Sequence, residues 1–208
     1  MKYKLLGNTG IKVSELCLGT MTFGGKGYWT AIGELPQQAV DEIMKQSIDA
    51  GINFIDTANV YSEGLAEELT GKSIRNLGLK RDDLVIATKV RGKMGEGVNE
   101  IGLSRKHIMQ QVDESLKRLN IDYIDLYQIH GYDAQTPLED TIDTLDRLVQ
   151  SGKVRYIGCS NLAAWQLIKS FSYSLYNHKS AVVSLQAYYT IAGRDLEREL
   201  LPLLTDQK

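Results

Sequence analysis

The chain has 208 residues, with 24 lysines and arginines against 26 aspartates and glutamates, and its formal net charge is -2. Hydrophobic residues make up 43% and charged residues 24%, which is typical of a globular domain with one sizeable core. A protein dedicated to nucleic acid would carry a strong basic excess, and no apolar run is long enough to span a membrane. We therefore expect neither nucleic acid nor a membrane as a partner.

The N-terminus and the cysteines bear on the cellular compartment. The first residues, MKYKLLGNTG, lack the apolar stretch of a secretory signal. The two cysteines, Cys17 and Cys159, are too few for a disulfide framework or a zinc site. We expect a cytoplasmic protein without a metal site.

The chain opens on a pattern that differs from the rest. Residues 2–6 and 12–16 flank the turn Gly7-Asn8-Thr9-Gly10, which predicts a β-hairpin. A hairpin cannot continue a parallel sheet, so we expect it to cover one end of the domain.

Short apolar runs then alternate with amphipathic stretches. The runs are 16–18, 52–55, 84–87, 124–129, 154–157 and 181–185. Helical periodicity is clearest within 40–48, 108–119 and 138–149. Repeated strand-helix units predict an α/β fold with a parallel sheet.

The glycine-rich segments distinguish between an open doubly wound sheet and a closed barrel. The first strand leads into Gly-Thr-Met-Thr-Phe-Gly-Gly-Lys-Gly at 19–27, which does not fit G-x-G-x-x-G. It also fails the phosphate-loop pattern, because Gly25 stands where lysine is required. Residues 92–97 fit no dinucleotide motif either. We interpret both segments as loops and favour the barrel.

Polar residues follow the apolar runs at equivalent points. Asp56, Lys89 and His130 end three runs, and the remaining runs are followed by Ser160, Asn161 and Gln186. Alone, each has an ordinary explanation as a cap, a solvated charge or a structural histidine. Because strand side chains alternate with a period of two, Asp56, Lys89, His130, Ser160 and Gln186 are expected to point to the same side of the sheet. Together they indicate a site at the C-terminal mouth of a barrel.

Several motifs, in order along essentially the whole chain, resemble those of the aldo-keto reductases. Asp56-Thr-Ala-Asn-Val-Tyr61, Ala87-Thr-Lys89 and Gln128-Ile-His130 are similar to the segments that carry that family's Asp, Tyr, Lys and His tetrad. Further similarities are Gly19-Thr20-Met21, Gly158-Cys-Ser160-Asn161 and Gln186. The resemblance implies a TIM (β/α)8 barrel and NAD(P)H-dependent reduction of an aldehyde or ketone to an alcohol.

The resemblance also implies catalytic roles. Tyr61 would be the general acid, and Lys89 would lower its pKa from the usual value of about 10. Asp56 would pair with Lys89 and compensate its buried charge. His130, as a neutral ring, would orient the substrate carbonyl. The expected partner is a small-molecule carbonyl substrate.

The implied cofactor is NADPH, with NADH as the alternative. Ser160, Asn161 and Gln186 match the positions that bind the nicotinamide carboxamide, and Asp56 lies beside them. Gly19, Thr20 and Met21 match the segment that lies against the nicotinamide. Tyr189 is favoured over Tyr188 as the residue stacked on the ring, and Trp29 could line the substrate pocket.

Other conspicuous residues receive structural interpretations. We expect His107 and His178 at the surface, Trp165 in helix packing, and Cys159 in the core. Glu67 and Glu68 are predicted to lie on a solvated helical face.

Two other functions remain open on the sequence. The same scaffold serves as a cofactor-binding regulatory or auxiliary subunit in relatives such as potassium-channel β subunits, which can retain the tetrad. A third, less favoured hypothesis is a Schiff-base enzyme with Lys89 as nucleophile. That hypothesis leaves Ser160, Asn161 and Gln186 without a purpose.

The chain length sets a further expectation. Only 22 residues follow Gln186, enough for a helix or loop near 195–204 but not for two more βα units. A barrel of this kind takes about 250 residues. We expect residues 1–208 to form one domain with about six of eight βα units, C-terminally incomplete, which neither folds stably as a closed monomer nor turns over alone.

Overall fold

The computed structural model describes residues 1–207 and contains one small antiparallel sheet and one six-stranded parallel sheet. The strands are β1 (Tyr3–Leu5), β2 (Lys12–Ser14), β3 (Leu18–Gly19), β4 (Phe54–Asp56), β5 (Val85–Val90), β6 (Ile124–Ile129), β7 (Val154–Ser160) and β8 (Val182–Gln186). The predicted apolar runs are therefore strands, and β6 has the predicted bounds.

Helices alternate with the parallel strands. They are α1 (Gln37–Asp49), α2 (Leu65–Asn76), α3 (Arg105–Leu119), α4 (Leu138–Gln150), α5 (Ala164–Tyr176) and α6 (Leu200–Asp206). One helix follows each strand from β3 to β8. Gly51 has φ +88° just beyond the end of α1, a backbone conformation that glycine adopts without strain. The strand-helix repeat predicted from the sequence is confirmed.

The six parallel strands pair in chain order, β3-β4-β5-β6-β7-β8, as a curled sheet that forms part of a barrel. Their register brings the C-terminal ends together: Gly19 lies opposite Asp56, Lys89 opposite Gln128, and Ser160 opposite Gln186. Since the polar residues end neighbouring strands, this register gathers them at one mouth. Within residues 1–207, β3 and β8 are the edges of the sheet.

The hydrophobic core lies between the sheet and its helices. Every residue of β5 and β6 is buried, because one face packs on helices and the other points into the curl of the sheet. The largest cluster includes Val112 of α3, Leu145 of α4, Tyr127 of β6 and Cys159 of β7. The packing role predicted for Cys159 is confirmed.

The N-terminal hairpin covers the end of the sheet opposite the mouth. Asn53, just before β4, accepts a hydrogen bond at Oδ1 from the Ser14 amide (2.8 Å) and donates one through Nδ2 to the Lys12 carbonyl (3.0 Å). The Tyr156 hydroxyl donates to the Thr9 carbonyl (3.1 Å). The predicted cap is confirmed, and these bonds fix it to the starts of the strands.

The prediction that Glu67 and Glu68 lie on a solvated helical face is correct for Glu68 and wrong for Glu67. Glu68 is exposed, but Glu67 is fully buried. Its carboxylate accepts hydrogen bonds from Thr88 Oγ1 (2.5 Å) and Arg118 Nε (2.6 Å). Helix α2 packs against β5 and α3 at this point, so the buried ion pair ties all three elements together beside Lys89.

Two aromatic assignments are also corrected. His178 is exposed as predicted. His107, in contrast, is fully buried, and Gly92 and Glu100 of the long loop after β5 lie close enough to affect its pKa. Burial lowers the pKa of His107. Trp165 is 57% exposed instead of packed within the fold, and its ring meets the edge of Tyr132 at a centroid distance of 5.8 Å.

The adjacent glutamates of α2 provide a matched test of the buried ion pair. We expect Glu67→Gln to lower the free energy of unfolding by about 2–3 kcal/mol, because Arg118 loses its charged partner in a buried site. Glu68→Gln, one residue away, should stay within about 0.5 kcal/mol of the unsubstituted protein. Urea unfolding measures the stability of both variants, and an equal loss in the two would contradict a stabilising role for the Glu67–Arg118 ion pair.

Candidate active site

Lys89 lies at the centre of the polar cluster. Its side chain is fully buried at the C-terminal end of β5. Nζ donates to Asp56 Oδ2 (2.6 Å) and to the Thr57 carbonyl (2.9 Å), and lies 3.5 Å from the Tyr61 hydroxyl oxygen. A buried ammonium with these partners is held in one position.

Asp56 connects several strands of the mouth. Besides Lys89, its carboxylate accepts a hydrogen bond from Gln128 Nε2 at Oδ1 (3.0 Å) and from Gln186 Nε2 at Oδ2 (3.1 Å). These donors come from β6 and β8, so one carboxylate ties the two sides of the mouth to β4. The motifs predict Gln186 only as a cofactor contact, and they predict no role for Gln128.

Tyr61 lies between three aromatic or cationic groups. Its ring packs edge-on against Trp29 (centroids 5.3 Å apart) and His130 (5.6 Å), and Lys89 Nζ is 5.2 Å from its centroid. The loop after β4 thus places the phenol beside His130, and the loop after β3 covers it with Trp29. The four residues of the predicted tetrad are together.

A strained turn directly follows Tyr61. Ser62, Glu63 and Gly64 all have left-handed backbone conformations, with φ of 48°, 55° and 96°. The buried Ser62 hydroxyl donates to the Phe23 carbonyl (2.9 Å) and accepts from the Gly25 amide (3.1 Å). Ser62 therefore fastens the first loop, which carries Trp29, to the turn that aims Tyr61.

The protonation of Tyr61 differs from the expectation. Burial, and then the negative charge of Asp56, raise the pKa of the phenol to about 12. The resemblance implies that Lys89 lowers this pKa, but the charge of Lys89 is already shared with Asp56 at 2.6 Å. The phenol is consequently protonated throughout the neutral range.

His130 is neutral, as expected of a group that orients a carbonyl. Burial, and then the positive charges of Lys89 and Arg91, lower its pKa to about 4 despite the opposing effect of Asp56. A neutral imidazole keeps one N–H donor.

The first strand supplies an open polar surface beside the cluster. The Thr20 amide donates to the Asp56 carbonyl (3.0 Å), and the buried Thr20 hydroxyl oxygen has no hydrogen-bond partner among residues 1–207. No atom lies within 4 Å of where a Cβ on Gly19 would stand. Met21 is 43% exposed. The end of this strand therefore has open space for a ligand and a hydroxyl group that could bond to it.

The last two strands form the opposite side of the mouth. Ser160 is buried at the end of β7, where its hydroxyl accepts from Asn161 Nδ2 (2.9 Å), and the Asn161 amide donates to the Gln186 carbonyl (3.0 Å). Tyr189 is about half exposed in the following loop, and its hydroxyl donates a hydrogen bond to Glu197. Within the described part of the chain, no group of His, Cys, Asp and Glu side chains could hold a metal ion.

Comparison with known proteins identifies the family. A model of the Aldo/keto reductase family matches residues 15–208. The chain belongs to the aldo-keto reductase family. The family's TIM barrel agrees with the curled six-stranded sheet.

Curated relatives match almost the whole chain. The oxidoreductase YrpG of Bacillus subtilis is 38% identical over 99% of the chain, and the versiconal hemiacetal acetate reductase of Aspergillus parasiticus is 35% identical over 99%. A protein of Arabidopsis thaliana named "Probable voltage-gated potassium channel subunit beta" is 38% identical over 99%. The chain spans a little under two thirds of the length of these relatives: 63%, 64% and 61%.

Two of these relatives are named as an oxidoreductase or a reductase, and the third as a channel subunit. None of the helices between residues 1 and 207 has the length and apolar character needed to cross a bilayer.

Proposed function

We propose that this protein reduces an aldehyde or ketone to an alcohol with NADPH or NADH, and catalyses the reverse oxidation. The observation that carries the proposal is the cluster at the mouth: a protonated buried phenol lies between a buried ammonium at 3.5 Å and a neutral imidazole. These groups suit a reaction in which a carbonyl oxygen gains negative charge and then a proton.

The residues around the mouth fit a nicotinamide cofactor. The buried, unpartnered hydroxyl of Thr20 and the open space beside Gly19 leave a polar, accessible surface on one side. Ser160 and Asn161 offer hydroxyl and amide groups on the other, which suit a carboxamide that both donates and accepts. When bound, the nicotinamide supplies or accepts the hydride. Gln186 would serve both the cofactor and Asp56.

Tyr61 is the proton donor in this proposal. Because its pKa is raised to about 12, the phenol holds its proton near neutral pH and transfers it only to a more basic oxygen, such as a developing alkoxide. The ammonium of Lys89 at 3.5 Å would stabilise the phenolate that remains. Asp56 fixes that ammonium.

His130 and Trp29 would position the substrate. The neutral ring of His130 donates its N–H to the carbonyl oxygen beside the Tyr61 hydroxyl. Trp29, half-buried against Tyr61, would form an apolar wall of the pocket. Both side chains restrict how a carbonyl can approach the phenol.

The direct test is oxidation of NADPH and of NADH by the complete purified protein with a broad panel of aldehydes and ketones, followed by absorbance. Reduction of at least one class, with alcohol identified as product, supports the proposal. Tight cofactor binding without turnover of any carbonyl would overturn it.

The pKa values of Tyr61 and His130 predict different pH dependences for the rates of carbonyl reduction and alcohol oxidation. Reduction needs the phenol and neutral His130, so its kcat/KM should stay level from about pH 6 to about pH 9. Oxidation needs the phenolate, whose fraction rises about tenfold per pH unit below a pKa of about 12. Initial rates in both directions measure this. A reduction rate that falls steeply above pH 7 would show that the phenol ionises far lower.

A second function is favoured by one group of relatives. The similarity to the Arabidopsis thaliana protein named as a channel β subunit supports a cofactor-binding auxiliary role for the complete protein. Cofactor binding with negligible turnover on every carbonyl tested would favour this role over catalysis.

The Schiff-base hypothesis has little support in the geometry. Lys89 Nζ is fully buried and shares its hydrogen bonds with Asp56 and the Thr57 carbonyl. A nucleophilic lysine must reach its substrate as a free amine. Borohydride trapping of a carbonyl compound on Lys89 would reverse this ranking.

A further inference from the structure

We propose that Arg91 recognises a negatively charged group of the substrate, so that this protein prefers carbonyl compounds that carry a carboxylate. The inference rests on the proposed reductase function and specifies its substrate class. It assigns a binding role to a residue to which neither the motifs nor the tetrad gives one.

Arg91 lies at the mouth, directly after β5 and two residues beyond Lys89. Its side chain extends over Gly131, the neighbour of His130: a Cβ at position 131 would stand 3.7 Å from Arg91 Cδ and Nη1. Its φ of 153° is unusual for a residue with a side chain, and such strain is concentrated at functional sites. The guanidinium therefore lies beside Gly131, next in the chain to the residue proposed to orient the carbonyl.

One nitrogen of the guanidinium is anchored and the others are free to bind. Arg91 Nε donates to the Tyr132 carbonyl (3.0 Å), which fixes the plane of the group. Arg91 is exposed and forms no salt bridge with the acidic residues of 1–207. A planar guanidinium with free Nη groups is suited to bidentate binding of a carboxylate.

The acidic side chains of the surrounding loops have hydrogen-bond or ion-pair partners other than Arg91. Asp133 accepts hydrogen bonds from the Leu103 and Gln135 amides (2.8 and 2.9 Å) and from Thr136 Oγ1 (2.8 Å). Glu96 pairs with Lys93 (2.9 Å), and Glu100 accepts from the Gly97 amide (2.7 Å). Despite burial, hydrogen bonds and then the charge of Arg91 lower the pKa of Asp133, but none of these carboxylates forms a salt bridge with Arg91, so the Arg91 Nη groups remain open to a ligand.

The positive charge of Arg91 acts on His130 at the proposed reaction site. It is one of the positive charges that hold His130 in its neutral form, after burial and Lys89. Asp56 pairs with Lys89, whereas Arg91 has no salt-bridge partner among residues 1–207. The edge-to-face pair of half-buried Tyr132 and exposed Trp165 lies at the same rim and offers apolar contact for the body of the substrate.

The test compares an acid with its neutral ester. We expect kcat/KM to be at least about tenfold higher for 4-carboxybenzaldehyde than for methyl 4-formylbenzoate, as for a hydrogen-bonded charge pair. Arg91→Met should abolish this preference by slowing only the acid, and Arg91→Lys should keep part of it. Arg75→Met, an exposed arginine in the last turn of α2, serves as control and should keep the preference. Equal slowing of both substrates, or no initial preference, would overturn the proposal.

A binding measurement separates this inference from the proposed reaction. Benzoate and benzamide are titrated against the protein, with tryptophan fluorescence as the readout because Trp29 and Trp165 lie at the mouth. We expect benzoate to bind at least about tenfold more tightly, less so at high salt, and the difference to vanish in Arg91→Met. If no aldehyde is reduced, the proposed reaction is refuted, but the titration still shows whether Arg91 binds a carboxylate. Equal binding of the two compounds, or binding of neither, would overturn the inference.

Discussion

Replacing Tyr61 with phenylalanine is expected to lower kcat/KM for aldehyde reduction by about 10²–10⁴-fold, the usual contribution of a positioned general acid. The substitution removes one oxygen and leaves the ring packed between Trp29 and His130. Because the phenolic oxygen lies 3.5 Å from Lys89 Nζ and makes no bond that holds the fold, the loss should fall on catalysis alone.

Two measurements distinguish this outcome from a general defect. Cofactor affinity, followed by fluorescence titration, should stay within about twofold of the unsubstituted protein, since a ring of the same shape remains. Tyr28→Phe, at an exposed tyrosine of the same rim, is the matched control and should retain activity. Retention of full activity in Tyr61→Phe would show that another group donates the proton.

Replacing Lys89 with methionine is expected to have the largest effect on stability. The substitution leaves the Asp56 carboxylate with only the amide donors of Gln128 and Gln186 in a largely buried site. Removing one partner of a buried ion pair costs about 3–5 kcal/mol of unfolding free energy. Reduction should be lost as well, because nothing then stabilises the phenolate.

A second substitution tests the physical cause. In Lys89→Met with Asp56→Asn, no unpaired charge remains, so we expect a substantial part of the lost stability to return without any return of activity. Lys153→Met removes an exposed partner of Asp113 and should cost less than about 1 kcal/mol. Urea unfolding measures all three variants. A double variant less stable than Lys89→Met would refute the argument.

The order of elements and the line of polar residues follow from local sequence patterns. Apolar runs of five or six residues, such as 124–129, are long enough to define a strand, and the period of two places Gln128 and His130 on one face. Parallel strands in register then bring their ends to one mouth. For this reason the residue pattern predicts that Asp56, Lys89 and His130 lie together, whereas Tyr61 is added only by the resemblance to the family.

Properties set by distant neighbours could not be predicted in this way. Glu67 follows the pattern of a solvated helix face, yet Arg118, 51 residues away, makes its burial stable. His107 is buried beside Gly92 and Glu100 of the loop after β5. Neither partner is visible in local periodicity, because long-range packing decides which side of a helix is covered.

Residue types and their spacing predict that Asp56, Lys89 and His130 gather at one mouth, and the family resemblance adds Tyr61, whereas the charge states of these side chains depend on the folded arrangement. The motifs lead to the expectation that Lys89 lowers the pKa of Tyr61, but burial and Asp56 raise it to about 12. The unpaired Nη groups of Arg91 likewise become evident only from the folded structure, in which Nε bonds to the Tyr132 carbonyl and the nearby carboxylates accept other hydrogen bonds. The reason is physical: a pKa depends on burial and on the distances between charges, which folding alone establishes.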